Sequence, residues 1–262
     1  MILLICYFVT FFACWIGTIC GMGGGIIIKP VLDATGIMTV STITFLSGCT
    51  VIAMTCWSVG KTLIRGESVI DVKNTTFLAV GAAIGGIVGK ELYSVTAARF
   101  SNPDTAGGVQ AAFLFAATLA TFIYTLNKDK IKSKQVDSPV VSILIGLILG
   151  VLGAFLGIGG GPFNVAVLYY FFSMQTKKAT QNSLYIVLFS QAASTFKTVA
   201  FNGIPDFDIR LLIGMMLFGI IGSEIGRRIN TRINDRQATY LFEGAMILIM
   251  GINIYNIIKF LI

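Results

Sequence analysis

The sequence contains no histidine and few charged residues, and both shortages narrow the possible functions. Only 12% of its 262 residues are charged, against about 25% in an ordinary soluble domain, so few positions can face water. Hydrophobic residues make up 55% of the chain. Without histidine, the chain lacks the commonest proton relay and metal ligand of proteins. The composition therefore predicts a polytopic integral membrane protein and gives little support to hydrolytic or metal chemistry.

The cysteines do not form any sequence motif that would indicate a metal site or a redox function. The five cysteines all lie in the first half of the chain, inside apolar stretches, and none has CxxC or zinc-site spacing. We expect them to act as small buried hydrophobic groups. No complete nucleotide-binding or phosphate-loop motif is present either. We therefore predict that the protein is not an enzyme and that it uses no cofactor and no metal.

The formal net charge of +7 could indicate binding to nucleic acid. However, the basic residues cluster at the ends of apolar segments, where Lys and Arg set the orientation of membrane proteins. We therefore expect the lipid bilayer as a partner, and no nucleic acid.

Two copies of one glycine motif organise the chain. Residues 21–25 read Gly-Met-Gly-Gly-Gly and residues 157–161 read Gly-Ile-Gly-Gly-Gly; we call them the first and second glycine knots. Both lie in apolar runs long enough to cross a bilayer, where irregular backbone persists only if protein or a water-filled cavity satisfies its polar groups. A duplicated helix break of this kind predicts a transporter whose substrate site lies between two repeats.

The whole chain reads as an internal duplication. Four apolar segments precede a basic linker and four follow it, and the halves align from Gly21 on Gly157 to Asp71 on Asp208 with a single added residue in the second half. We predict an all-α integral membrane fold of two inverted repeats, each a broken-helix hairpin followed by three transmembrane helices. The expected divisions are a first repeat over residues 1–127, a basic cytoplasmic linker over 128–138 and a second repeat over 139–262.

The distribution of basic residues favours the inverted arrangement. If each interrupted segment turns back at its knot, 13 of the 19 Lys and Arg residues fall on the linker side of the membrane and 6 on the other. If each segment crosses once, the division is 10 to 9 and gives no orientation. The positive-inside rule makes the richer side cytoplasmic. We therefore predict both termini outside a cell inner membrane, with each broken segment either a re-entrant hairpin or two short spans.

The knots carry the predicted substrate site. A helix that restarts after a knot presents unpaired N–H groups and a partial positive charge, which suits an anion. Close helix packing is the alternative, and we prefer it for the glycine pairs Gly85/Gly89 and Gly222/Gly226. Ser47 and Ser183 recur at one repeat position, and Asn164 follows the second knot closely. The predicted substrate-binding residues are Gly21, Met22, Gly23, Gly24, Gly25, Gly157, Ile158, Gly159, Gly160, Gly161, Asn164, Ser47 and Ser183.

Charged residues inside the predicted spans have ordinary interpretations. Lys61 and Lys197 are repeat-related and lie near helix ends, where we favour snorkelling to the interface over attraction of anions. Glu224 and Glu243 have no acidic repeat partner. For these acids an ion pair with nearby arginines is favoured over a role in proton coupling.

The doubled glycine motif, Pro30 after the first knot, the repeat-related turns that lead to Asp71 and Asp208, and the eight apolar segments together resemble the TauE/SafE sulfite exporter family. The resemblance covers nearly the whole chain. It implies an inner-membrane transporter of small anions, often sulfur-containing, such as sulfite, sulfoacetate or another organosulfonate. It also implies that both glycine hairpins contact the substrate. The sequence does not distinguish a proton from a sodium ion as the coupling ion. The second knot has Ala166 in the place of Pro30, so we expect unequal half-sites.

The combined expectation is a secondary transporter that works by alternating access and holds a small anion between the two helix breaks. The first alternative is a passive anion or small-solute channel, which also uses broken helices. The second is a membrane enzyme or an assembly subunit, which would need clustered acid, base or metal-binding residues.

Overall fold

The computed structural model describes residues 2–66, 69–100 and 103–261, and these ranges contain helices and no strand. Its α-helices in chain order are α1 (Ile2–Cys20), α2 (Gly25–Thr35), α3 (Val40–Ile64), α4 (Val72–Ala97), α5 (Pro103–Asn127), α6 (Pro139–Phe155), α7 (Pro162–Phe172), α8 (Thr176–Lys197), α9 (Ile209–Arg232) and α10 (Asp235–Leu261). In this part of the chain seven helices are long and apolar enough to cross a membrane. The other three, α2, α6 and α7, have 11, 17 and 11 residues. The prediction of an all-α integral membrane fold is confirmed.

Both glycine knots interrupt helices, as predicted. The first separates α1 from α2, and the second separates α6 from α7. Corresponding glycines adopt the same left-handed backbone conformation, with φ of +69° at Gly21 and +71° at Gly157, and +71° at both Gly23 and Gly159. Residues with a Cβ atom rarely adopt this conformation, so these four positions favour glycine. The duplicated sequence thus produces a duplicated chain path.

The two halves of the chain interlock through helices that pack backbone to backbone. A Cβ atom at Gly85 of α4 would collide with the carbonyl oxygen of Leu147 in α6, and one at Gly222 of α9 would collide with the carbonyl oxygen of Phe11 in α1. These two contacts are repeat-equivalent. Small residues allow such close approach between helices, so the packing interpretation of these glycines is confirmed.

The order of contacts along each packed pair gives the helix directions. Contacts advance together along α4 and α6, along α1 and α9, and along α3 and α9, so the helices of each pair run in the same direction. The contacts that establish this are Gly81–Ile143, Gly85–Leu147 and Gly89–Val151 for α4 and α6; Gly222–Phe11, Gly226–Trp15 and Asn230–Ile19 for α9 and α1; and Gly219–Thr50 and Ser223–Met54 for α9 and α3.

A π-helical turn over Thr198–Asn202 follows α8. The residue that the second repeat adds falls at this place in the sequence, between the matched pairs Thr62/Thr198 and Gly66/Gly203. A π-turn holds one more residue than an α-turn. The added residue is therefore absorbed here, and α9 keeps the same register against α1 that α4 keeps against α6.

Candidate functional site

The two glycine knots are buried and touch each other. Every residue of 21–25 and 157–161 is buried. A Cβ atom at Gly25 would lie 2.9 Å from the carbonyl oxygen of Ile158, so the start of α2 abuts the second knot. Two segments from opposite halves of the chain thus form one contact region inside the protein.

The repeat-related helices α3 and α8 pass these knots in opposite order. Along α8, Thr180 lies beside the first knot, and Gln191 lies later in the helix beside the second. Along α3, Thr44 lies beside the second knot, and Met54 lies later beside the first. The two helices therefore run antiparallel where they cross the knots.

The chain reverses direction at each knot. The start of α2 lies against Ser47 and Val51 in the middle of α3, whereas its end joins the start of α3 through residues 36–39. Hence α2 runs antiparallel to α3, and also to α1, because α1 and α3 both run parallel to α9. Gly160, two residues before α7, lies against Val187 in the middle of α8, and residues 173–175 join the end of α7 to the start of α8 in the same manner.

Both α2 and α7 begin at a knot without a side-chain cap. Their N-cap residues, Gly24 and Gly161, make no side-chain hydrogen bond. Pro162 occupies the first turn of α7, where its missing N–H removes a group that would have no intrahelical acceptor. The first amides of a helix lack intrahelical partners and carry the positive end of the helix dipole. Two positive helix ends therefore lie in the buried contact region.

Two buried polar side chains next to these helix starts carry atoms without a partner among the described residues. They are Ser47, through Oγ, and Asn164, through Oδ1; the two residues are 0% and 1% exposed. Ser47 Oγ lies 3.2 Å from the position that a Cβ atom would take at Gly25. The Asn164 amide nitrogen lies 2.8 Å from the position that a Cβ atom would take at Gly160. Buried polar groups are nearly always hydrogen-bonded. The Ser47 hydroxyl can donate to a ligand between the knots, whereas Asn164 Oδ1 only accepts, so Asn164 can bind an anion only through its amide nitrogen.

Other polar residues around the knots have structural roles. The Ser183 hydroxyl donates to the carbonyl oxygen of Gly21 and so ties α8 to the first knot. Gln191, which the sequence analysis did not select, fits between Gly159 and Gly48, and its Nε2 donates to Thr195 Oγ1 at 3.3 Å. An amide side chain within an otherwise apolar helix was the feature of the sequence that could have indicated a buried role for Gln191. The predicted site residues thus lie together, but their side chains have different partners.

The contact region is tightly packed. A Cβ atom at Gly24 would press against Cys14, and one at Gly160 would collide with Val187. One cavity of about 330 Å³ opens instead near the linker, and it is lined by residues that include Tyr124, Lys128 and Asp235. A solute can reach the knot amides only if the surrounding helices move apart.

The repeat-related lysines Lys61 and Lys197 each form an ion pair with an acid in the other half of the chain. Lys61 of α3 pairs with Glu224 of α9 at 2.9 Å, and Lys197 of α8 pairs with Glu91 of α4 at 3.0 Å, one helical turn beyond Ile87, the residue that corresponds to Glu224. Snorkelling alone therefore does not describe these lysines, because each one bridges two helices. The expected pairing of Glu224 with arginines is confirmed, with Arg227 at 3.1 Å and Arg228 at 2.7 Å.

A buried ion pair in α2 escaped the sequence analysis. Lys29 Nζ lies 2.6 Å from Asp33 Oδ2, and both side chains are 4% exposed. The Lys29 stem also reaches the second knot, since its Cε lies 3.0 Å from the position of a Cβ atom at Gly157. The sequence could have indicated this pair, because its opposite charges lie one helical turn apart in an apolar segment.

Comparison with known proteins adds independent information. The profile of the sulfite exporter TauE/SafE family matches residues 6–254. The chain is 24% identical over 245 residues to the probable membrane transporter protein YunE of Bacillus subtilis (strain 168), and the alignment covers 83% of this chain and 86% of that protein. No solved structure matches the chain.

Proposed function

This chain belongs to the TauE/SafE sulfite exporter family and is a multi-pass membrane transporter, and we propose that it carries small anions by alternating access. The proposal is carried by one observation. Two uncapped helix starts meet in a buried region beside the unpaired hydroxyl of Ser47 and the amide nitrogen of Asn164. Backbone amides at helix starts are well suited to hold a negatively charged group.

The proposed anion lies between the knots and accepts hydrogen bonds from the first amides of α2 and α7. The Ser47 hydroxyl and the Asn164 amide replace part of the hydration that the anion loses. Binding must be strong enough to capture the anion and weak enough to release it. Amides and hydroxyls satisfy both demands more readily than a buried arginine would, because a full charge binds more tightly.

Sulfite or an organosulfonate such as sulfoacetate is the substrate class that we infer. The name of the family supports a sulfur oxyanion. The chemistry of the site supports the same class, since N–H and O–H donors can surround the oxygens of a small oxyanion without a metal.

We further propose that residues 1–127 and 139–262 are inverted repeats, joined by a cytoplasmic linker over 128–138 in an inner membrane. The antiparallel passage of α3 and α8 across the knots supports this arrangement. The reversal of the chain at each knot also supports it. The two helices around a knot then return the chain to the side from which it came, so three crossings remain in each half and the second half starts on the opposite side of the membrane. With 13 of 19 basic residues on the linker side, the positive-inside rule favours both termini outside.

Counterflow in proteoliposomes tests the function. Vesicles loaded with unlabelled sulfite should take up external radiolabelled sulfite in a saturable manner, because a carrier exchanges substrate across the membrane. Sulfate, thiosulfate, sulfoacetate, isethionate and short carboxylates, added as competitors, would define the substrate range. Linear flux without trans-stimulation would identify a passive channel instead.

The same assay tests the glycine knots. Gly24→Val and Gly160→Val should each abolish counterflow, because a branched side chain collides with Cys14 beside the first knot or with Val187 beside the second and displaces the knot. Gly60→Val is the matched control, since a Cβ atom at Gly60 meets no atom within 4 Å. Normal transport by both knot variants, at equal expression and with monodisperse protein, would show that the knots serve packing only.

A further inference from the structure

Lys90 of α4 is a buried cation without a counter-ion in the described part of the chain. The residue is 8% exposed, and the recorded polar contact of its side chain is the ring of Tyr93, 5.5 Å from Nζ. No ion pair or hydrogen bond joins Nζ to a described residue. An unpaired buried ammonium is strongly unfavourable, so such a group normally has an anionic partner.

The second repeat shows which counter-ion Lys90 lacks. In the alignment of the two halves that places Asp71 on Asp208, Lys90 corresponds to Arg227, which is 6% exposed and pairs with Glu224 at 3.1 Å. The residue that corresponds to Glu224 in the first repeat is Ile87. The first repeat therefore keeps the buried cation and lacks the acid that neutralises it.

A second buried lysine lies near Lys90. Lys29 contacts Gly157 through its stem, and the ring of Tyr93, which lies against Lys90 Nζ, packs on Phe155 two residues earlier in the chain. The nearby carboxylate, Asp33, is already bound to Lys29, and its second oxygen, Oδ1, has no partner among the described residues. Lys259 adds another positive charge, with Nζ 3.2 Å from the carbonyl oxygen of Asp33. Positive charge therefore exceeds negative charge in this cluster.

The cluster borders the second knot. The Lys29 stem contacts Gly157, and the ring of Tyr93 packs edge-on against Phe155, the last residue of α6, with centroids 6.4 Å apart. Gln110 of α5 donates to the carbonyl oxygen of Phe155, and its own Oε1 is buried without a partner among the described residues. These groups surround the chain where it enters the second knot.

We propose that Lys29 and Lys90 form a second anion site beside the second knot, at which a small oxyanion supplies the counter-ion that Lys90 lacks. The proposal deepens the proposed function and takes its substrate class from it. The site lies on the side of the knot where α2 and α10 end, away from the linker. An anion held there would pass from two lysine ammonium groups to the knot amides.

Thermal unfolding of purified protein in detergent tests the site, with sodium sulfite or sulfate added to a buffer whose only anion is gluconate. Ligands that bind the folded state raise its unfolding midpoint. Lys90→Met should unfold at the wild-type midpoint or above it in gluconate, because the unpaired charge is gone. Its response to the oxyanion should fall by about half or more. Lys90→Arg should keep the response, and so should Lys73→Met, which removes an exposed lysine from the same helix.

Two variants separate this site from the knot. Gly160→Val should keep a partial response to oxyanion, and Gly160→Val combined with Lys90→Met should show none. If Lys90→Met loses stability in gluconate while its response stays at the wild-type level, Lys90 has a purely structural role and the second site does not exist. That result would leave the counterflow test of the proposed function unaffected.

Discussion

Ser47 and Ser183 occupy equivalent positions in the two repeats, but their hydroxyls have different partners. Ser183 donates to the carbonyl oxygen of Gly21, whereas Ser47 Oγ has no partner among the described residues. The sequence analysis treated the two as equals because both are hydroxyl groups at the same repeat position. Which one is free depends on how the first knot lies against α8, and no local pattern contains that information.

Alanine substitutions should separate the two serines. Ser183→Ala should lower the free energy of unfolding by about 1 kcal/mol, because it leaves a buried carbonyl oxygen unpaired. Ser47→Ala should leave stability unchanged, because its hydroxyl makes no bond to lose, and should raise the apparent KM for sulfite in counterflow. Chemical unfolding in detergent and concentration-dependent counterflow would measure the two effects. An unstable Ser47→Ala with an unchanged KM would remove Ser47 from the site.

The helices themselves were largely predictable, because apolar run length and glycine content are local properties. The breaks at both knots and the long spans from α3 to α5 and from α8 to α10 follow from these properties. Which helices pack against each other was harder to predict from the sequence. The packing of α4 on α6 requires glycines of α4 to face the backbone of a helix that is distant in sequence. The sequence indicated this only through the packing interpretation of Gly85 and Gly222.

The roles of charged groups inside helices were the hardest feature to predict from the sequence. Lys29 and Asp33 were overlooked because α2 reads as an apolar continuation of the first knot, although the pair sits beside Gly157. No site role was predicted for Lys90. Its importance appears when it is compared with Arg227, whose acid partner the first repeat replaces with Ile87.

The proposed inverted arrangement makes a clear topological prediction for the whole molecule. In a background without the native cysteines, Ser133→Cys in the linker and Ile204→Cys between α8 and α9 should lie on opposite sides of the membrane. An impermeant maleimide added to intact cells should label Ile204→Cys at once and Ser133→Cys only after permeabilisation. Parallel repeats, in which each interrupted segment crosses once, would place both cysteines on the same side.

An anion bound between two helix starts is the central feature of the proposed mechanism, and selenite offers a direct test of it. Selenite is the selenium analogue of sulfite, and its selenium atom can be located by anomalous scattering in crystals of the transporter. We predict an anomalous peak with oxygens about 3 Å from the first amides of α2 and α7. A peak at Lys29 and Lys90 with none between the knots, or unbroken helices through residues 21–25 and 157–161, would contradict the proposed mechanism.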